Sequence, residues 1–382
     1  MYNVLTLNKI AAVGTDHLGA GYTYGDNVQD PDAILVRSAA MHDMEFAPNL
    51  LAIARAGAGT NNIPKDKCTE QGIVVFNTPG ANANAVKELV LTGLFLSSRK
   101  VVEGIEWAKT LKGNGEAVGK MVEKGKSQFV GPEIAGKTLG VIGLGAIGIL
   151  VANAAVALGM KVVGYDPFMS VSNALKLNPH IKFMKNNEEV MTACDYLTIH
   201  VPLTPETKDM VDADMIAKMK DGVRILNYSR DGLVNTDAVL EALKSGKVAK
   251  YVTDFGNDKI LGEENVIVLP HLGASTPESE DNCAVMACDQ VKEYIENGNI
   301  INSVNFPAIS LPRTAGTTRI CVIHKNVPEL FKTVLGEIKG NVENMLSKSR
   351  GDYAYTIFDV AGEYDVDAIS QTEGVIRVRA IG

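Results

Sequence analysis

The segment from Lys137 to Asp166, KTLGVIGLGAIGILVANAAVALGMKVVGYD, constrains this chain more than any other, because it holds a complete strand, glycine turn, helix and strand in one run. An apolar strand, Thr138 to Ile142, runs into Gly143, Gly145 and Gly148 at GxGxxG spacing. Glycines at these positions permit a tight turn, a close backbone approach to a pyrophosphate and close helix packing. The helix that follows, opening at Ala146 and Ile147, turns its free N-terminal amides toward the phosphates. A second apolar strand, Lys161 to Tyr165, delivers Asp166, 18 residues after Gly148. A carboxylate there accepts both hydrogens of an adenosine ribose diol and repels a 2′-phosphate, so NAD rather than NADP is the expected cofactor.

At 382 residues, 46% hydrophobic and 21% charged, the chain is long enough for two or three globular domains. Its net charge of -8 and scattered basic residues argue against nucleic acid as a partner, yet leave room for a small anion held by a few local arginines. Cys68, Cys194, Cys283, Cys288 and Cys321 show neither CxxC nor a metal-ligand spacing with histidine. They read as reduced thiols in the cytoplasm, with no metal site expected. The N-terminus lacks the charged start and long apolar core of a signal peptide, and no apolar run reaches membrane-spanning length, so no membrane partner is expected either.

Downstream of the glycine turn, short apolar runs recur at Ile181 to Met184, Tyr196 to His200, Val223 to Asn227, Tyr251 to Thr253 and Val266 to Leu269, separated by helical segments. This alternation predicts an α/β fold with a doubly wound parallel sheet. Upstream, Ile34 to Val36, Leu51 to Ile53 and Ile73 to Phe76 predict a second, smaller Rossmann-like lobe. Two long helices, roughly Asn84 to Lys109 and Pro277 to Glu296, are expected to flank the nucleotide unit. The expected organisation is a substrate lobe over 1–95 with 297–307, an NAD-binding domain over 96–296, a linker at 308–316 and a C-terminal module over 317–382. The linker contains Pro312, and the module alternates strand and helix in the ferredoxin-like βαββαβ order. The lysine- and glycine-rich stretch Lys109 to Gln128 reads as a solvated loop.

Three charged residues follow predicted strands of the nucleotide unit, where open parallel sheets place their ligands. Arg230 lies in NYSRDG, Asp258 in TDFGND and His271 in PHLGAST. Oxidation of a 2-hydroxy acid needs a base for the hydroxyl proton and a cation for the carboxylate or developing carbonyl; histidine and arginine supply them, and an acid beside the histidine orients it. Each of the three also has a plain structural reading as a surface or turn residue.

The ordered set GLGAIG with YDP, HVPLTPET (His200 to Thr207), LNYSRDGLV (Leu226 to Val234) and LPHLGAST (Leu269 to Thr276) resembles the D-isomer-specific 2-hydroxyacid dehydrogenases over residues 1 to 307. The resemblance implies that Arg230, Asp258 and His271 form the catalytic trio, although the common pattern has glutamate where Asp258 stands. It implies cofactor contacts from His200, Val201, Pro202, Thr207, Asn227, Tyr228, Ser229, His271 and Gly273, and from Asp254 or a neighbour to the nicotinamide carboxamide. Within the family, the RS pair (Arg37, Ser38), the RAGAGTNN loop (Arg55 to Asn62) and the C-terminal module point to the branch that oxidises 3-phospho-D-glycerate, the first step of serine biosynthesis. Arg37 and Arg55 are then candidates for the substrate phosphate, because arginine's planar fork suits such oxygens. Gly57, Ala58 and Gly59 would offer amides to the substrate carboxylate, with Asn77 nearby.

The stretch Arg319 to Gly382 resembles an ACT domain, through RICVIHKNVPEL and SRGDYAYTIFDV. That resemblance implies His324, Asn326 and Asn341 as contacts for L-serine, and a homodimer or homotetramer joined edge to edge. Glu329 departs from the pattern, standing where a glycine usually follows the proline. A dehydrogenase of an unphosphorylated hydroxy acid and a non-catalytic NAD-sensing protein remain the alternative readings of the whole chain.

Overall fold

Short runs of β-branched and aliphatic residues buried on both faces are what a helix-covered parallel sheet requires, and they build both large sheets here. The computed structural model describes residues 1–382. The chain opens with β1 (Tyr2–Leu7), α1 (Ala12–Asp16), β2 (Tyr22–Gly25), β3 (Ala33–Val36), β4 (Ala52–Arg55), α2 (Lys65–Glu70) and β5 (Val74–Phe76). These five strands are parallel, in the order β2-β1-β3-β4-β5. The three runs expected from sequence are β3 to β5. The other two strands lie toward the exposed edge, and their weak apolar patterning (YNVLTL, YTYG) hid them.

Next come α3 (Ala83–Ser98), α4 (Val101–Thr110), α5 (Val118–Gly125), β6 (Thr138–Ile142), α6 (Ala146–Ala157), β7 (Lys161–Tyr165), α7 (Val171–Ala174), β8 (Lys182–Phe183) and α8 (Asn187–Ala193). They are followed by β9 (Tyr196–Ile199), α9 (Ala213–Lys218), β10 (Val223–Asn227), α10 (Thr236–Lys244), β11 (Val248–Thr253) and β12 (Val266–Val268). The sheet is wholly parallel in the order β12-β11-β10-β9-β6-β7-β8, so the chain reverses direction across the sheet at β6 and β9, where doubly wound folds place a dinucleotide.

Two local expectations change. The helix expected over Asn84 to Lys109 is two helices, broken at Arg99 and Lys100. The hydroxyls of Ser97 and Ser98 both donate to the Leu94 carbonyl at the break, and Gly131 lies so close to the Ser98 carbonyl that a Cβ would sit 2.1 Å from it. Lys109 to Gln128 is not a loop but α5 flanked by two 3₁₀ turns. Trp107 anchors this excursion, with Phe129 5.2 Å away and Gly125 tight against the indole.

The long helix α11 (Pro277–Asn297) returns the chain to the first sheet. It packs on α1 closely enough that a Cβ on Gly14 would lie 2.6 Å from the Ala284 Cβ. Then follow β13 (Thr318–Lys325), α12 (Leu330–Gly336), β14 (Asn341–Arg350), β15 (Tyr353–Ala361), α13 (Val366–Gln371) and β16 (Val375–Ile381), an antiparallel βαββαβ sheet ordered β14-β15-β13-β16. Because side chains alternate faces along a strand, β13 and β15 serve two cores. Ile320, Val322, Phe358 and Val360 lie beneath α12 and α13, while Cys321, Ile323, Tyr355 and Ile357 join Val4, Leu18, Phe76 and Tyr294 in the core of the first sheet. Glu329, where a glycine was expected, holds a left-handed backbone (φ +65°) at the start of α12.

Residues 308–316, the expected linker, are packed. Ile309 is buried and bridges Ile300, and the carbonyls of Leu311 and Pro312 accept hydrogen bonds from the buried Arg319 guanidinium. The chain therefore divides into two compact units, Met1–Asn82 with Pro277–Gly382, and Ala83–Thr276. Relative to boundaries at 95 and 296, α3 goes with the nucleotide unit because it packs on α6, and α11 goes with the first unit because it packs on α1 and β4. The C-terminal module is part of the first unit.

Candidate active site

Three glycines shape the turn between β6 and α6 in different ways. A Cβ on Gly148 would sit 1.9 Å from the Gly143 carbonyl, and one on Gly143 2.5 Å from the His200 carbonyl, whereas one on Gly145 would meet nothing within 4 Å. Gly143 and Gly148 thus let the turn and helix close, and Gly145, beside Ala146 and Ile147 at the helix start, leaves the backbone open to a phosphate. Asp166 follows β7 and braces the same turn, its two oxygens accepting from the Leu144 amide (2.9 Å) and the Phe168 amide (2.8 Å).

The loops after β9 and β10 are tied to each other. Ser229 Oγ donates to the Val201 carbonyl (2.6 Å), Thr207 Oγ1 to the Pro202 carbonyl (2.7 Å), and Asn227 Nδ2 to the Arg230 carbonyl (2.9 Å). The His200 ring, 3.0 Å from Thr198 Oγ1, is lowered by burial and stays neutral at physiological pH. Gly273 lies against Val86, where a Cβ would come within 3.2 Å.

Asp254, at the end of β11, is the acid that meets the histidine. Its Oδ2 is 3.6 Å from His271 Nδ1, and its side chain is 2% exposed against 61% for the histidine. Burial raises the Asp254 carboxyl, with His271 and Arg230 opposing the shift. Its second oxygen is buried without a hydrogen-bond partner, as is the Tyr228 hydroxyl, which burial and then Asp254 hold protonated. Asp258, expected as the catalytic acid, is exposed in the turn beyond β11 and makes no ion pair with His271. Of the two aspartates in TDFGND, the first is buried and the second exposed. Phe255, not singled out from sequence, packs edge-on against the His271 ring at 5.1 Å. An unpaired buried acceptor at Asp254, an open backbone at Gly145 and an acid at Asp166 suit the carboxamide, pyrophosphate and ribose of NAD.

In the other unit, Arg55 shapes the loop it begins. Its Nε donates to the Arg37 carbonyl (2.9 Å) and its Nη1 to the Gly59 carbonyl, and Asn77 Nδ2 closes the loop on the Ala58 carbonyl (2.6 Å) while the Thr78 amide donates to Gly57. Arg37 carries the exposed guanidinium, paired with Glu280 at 2.7 Å. The Ser38 amide donates to Asn8 Oδ1. In the C-terminal module both ring nitrogens of His324 are engaged, by the Lys325 carbonyl and Thr356 Oγ1, and Asn326 Nδ2 donates to the Gly351 carbonyl. Asn341 opens the exposed edge strand β14 and donates to Glu343.

Residues 94–273 match the family model described as D-isomer specific 2-hydroxyacid dehydrogenase, NAD binding domain. A putative D-3-phosphoglycerate dehydrogenase of Schizosaccharomyces pombe is 33% identical over 350 residues, covering 83% of this chain and 70% of that protein. The chain belongs to the D-isomer-specific 2-hydroxyacid dehydrogenase family. A D-3-phosphoglycerate dehydrogenase of Haemophilus influenzae is 32% identical over 358 residues, covering 88% of this chain and 83% of the relative. In fold, the chain is similar to the NAD+-bound 3-phosphoglycerate dehydrogenase of Entamoeba histolytica, with a TM-score of 0.60 at 24% identity, covering 80% of this chain and 98% of that one. As a dehydrogenase of this family the chain takes NAD as its cofactor. No helix is long and apolar enough to cross a membrane, and no group of three His, Cys, Asp or Glu side chains is placed to hold a metal.

Replacing Asp166 is expected to weaken NAD binding roughly 10-fold or more, the scale of a lost charged hydrogen bond, and to narrow the preference for NAD over NADP. Fluorescence titration of Asp166→Ala with both cofactors measures this; unchanged discrimination would remove Asp166 from the ribose site.

Proposed function

We propose that this dehydrogenase oxidises 3-phospho-D-glycerate to 3-phosphohydroxypyruvate, the first step of L-serine biosynthesis. The observation that carries the chemistry is His271 beside the buried Asp254 at the C-terminal ends of the cofactor sheet. With Nδ1 turned to Asp254, Nε2 is the ring atom left to take the hydroxyl proton, and the carboxylate stabilises the imidazolium that forms. Arg230 supplies the cation for the substrate carboxylate and the developing carbonyl oxygen. NAD, when bound, accepts the hydride from the same carbon. Asp258, exposed and without an ion pair to the histidine, is assigned a turn role.

The substrate phosphate is assigned to Arg37, whose guanidinium is exposed, rather than to Arg55, which donates to the backbone carbonyls of Arg37 and Gly59. The Arg37→Ala variant should lose roughly 10- to 100-fold in kcat/KM with 3-phosphoglycerate, the scale of a charged hydrogen bond, and little with glycerate. Arg55→Ala should damage both substrates alike, because it loosens the loop. Parallel kinetics on the two acids separate these outcomes.

A substrate panel with NAD, read as NADH formation, tests the whole reading. Preference for glycerate or lactate would favour the unphosphorylated-acid dehydrogenase, and absence of turnover with every hydroxy acid would favour the NAD-sensing protein. Exposed Val101, Val102 and Ile105 on α4 support self-association as a homodimer or homotetramer. L-serine is the proposed effector, contacted by Asn326 and Asn341, with His324 fixed within the module. Five free, buried cysteines suit a reducing cytoplasm, the proposed location.

A further inference from the structure

The C-terminal sheet grips the first sheet of its unit at both ends of the same strands. At one end Arg377 Nη2 donates to the carbonyls of Pro48 and Gln71, which precede β4 and β5. At the other end, where those strands run into the loops of Arg55 to Asn62 and Asn77 to Thr78, the contact comes from the β14–β15 hairpin. Arg350, the last residue of β14, donates through Nη1 to the Ser303 carbonyl (3.0 Å), Lys348 donates to the Ala308 carbonyl (3.1 Å), and Tyr353 at the start of β15 packs edge-on against the fully buried Phe306 at 6.2 Å.

The segment so held lies alongside β5. Ser303 forms an antiparallel bridge with Phe76, the Val304 amide donates to the Val75 carbonyl, and Asn305 Oδ1 accepts from the Val75 amide. The Asn77 amide donates to the Asn302 carbonyl (3.5 Å), and Asn77 Nδ2 to the Ala58 carbonyl (2.6 Å). From Arg350 to that loop the route is one arginine contact, one bridge and one asparagine side chain. The turn of the hairpin is held in turn by Asn326, whose amide donates to the Asp352 carbonyl and whose side chain donates to that of Gly351.

We infer that Arg350 is a positioning residue for substrate binding: through Ser303 and Asn77 it holds the Gly57–Gly59 loop in the shape that receives the hydroxy acid. The inference rests on the proposed role of that loop in binding the substrate carboxylate. A guanidinium on a carbonyl is a charge-assisted hydrogen bond, and its loss loosens the Ser303 end of a segment that β5 holds alongside and that Asn305 ties to Thr69 and Ile73. Contiguity alone does not establish coupling, so the test measures the loop itself as well as catalysis.

In full-length Arg350→Ala, amide hydrogen exchange in peptides covering 56–62 and 76–82 is expected to quicken roughly threefold or more. The KM for 3-phosphoglycerate should rise roughly 3- to 10-fold with kcat and the KM for NAD near wild type. Arg350→Lys should restore most of both effects, because an ammonium still reaches a carbonyl. Arg377→Ala is the control: it removes the grip at the opposite strand ends and should leave exchange in both loops and the KM unchanged. Wild-type exchange in both loops in Arg350→Ala would overturn the inference, as would equal effects from Arg377→Ala. If the loops loosen but no hydroxy acid shows an altered KM, the positioning stands and the loop's assigned role in substrate binding fails instead.

Discussion

Turnover of His271→Ala is expected to fall roughly 100-fold or more, the usual loss for a positioned general base, while NAD binding by calorimetry stays near wild type because the glycine turn and Asp166 lie elsewhere in the unit. The same experiment distinguishes the two aspartates that follow β11. Asp254→Asn keeps the shape of the side chain but removes the charge that faces His271 Nδ1 and should lower kcat by a factor approaching the histidine variant's. Asp258→Ala removes an exposed turn carboxylate and should stay within about twofold of wild type, as surface substitutions usually do. Full activity in Asp254→Asn with loss in Asp258→Ala would restore the acid expected from sequence.

The second large effect is on stability. Arg319 and Asp359 form a fully buried bidentate pair, Nε to Oδ1 at 2.7 Å and Nη2 to Oδ2 at 2.9 Å, and the remaining guanidinium donors go to the carbonyls of Asn297, Leu311 and Pro312. Thr314 Oγ1 donates to the same carboxylate. Removing one member strands a buried charge, so Asp359→Ala should cost about 3–5 kcal/mol in urea unfolding at neutral pH. Burial alone would raise the Asp359 carboxyl, but hydrogen bonds from Arg319 and Thr314 outweigh it and hold it below the usual value. Its contribution is therefore complete above the unfolded carboxyl's value, about pH 4, and declines as the pH falls through the lower folded value. The gap in stability between wild type and Asp359→Ala should accordingly narrow in acid. A cost below about 1 kcal/mol, the scale of an exposed pair, would mean that this pair is not shielded from water as its burial implies.

Much of this protein was legible because its signals are local. The strands β6, β7 and β10 fall at the residues their apolar runs predict, since an apolar run buried on both faces cannot be anything but the inside of a covered sheet. The glycine turn and the strand that delivers Asp166 fall where the sequence puts them for the same reason: they span a single β-α-β unit. The βαββαβ order of the last 65 residues is also written in alternating short periods. Where the signal was weak the reading failed, as with β1 and β2, or the α5 excursion, whose lysines and glycines resemble a loop until Trp107 and Phe129 gather them.

What the tertiary structure alone decided is which groups meet across the chain. Asp254 and Asp258 are four residues apart and chemically alike, and only the end of β11 determines that the first is enclosed beside His271 while the second faces solvent. Arg37 and Arg55 look equivalent in sequence, yet Arg55 donates to the carbonyls of Arg37 and Gly59 while the Arg37 guanidinium pairs with Glu280. Residues 308–316 have a linker's composition, yet become fixed because Arg319, whose charge needs partners once β13 is buried, finds them in the carbonyls of Leu311 and Pro312. Composition and periodicity record what each segment prefers by itself; burial, charge pairing and hydrogen bonding over long sequence separations exist only after those segments have packed, and they decided that Asp254 meets His271, that Arg55 braces the loop it begins and that the C-terminal sheet seats on the first.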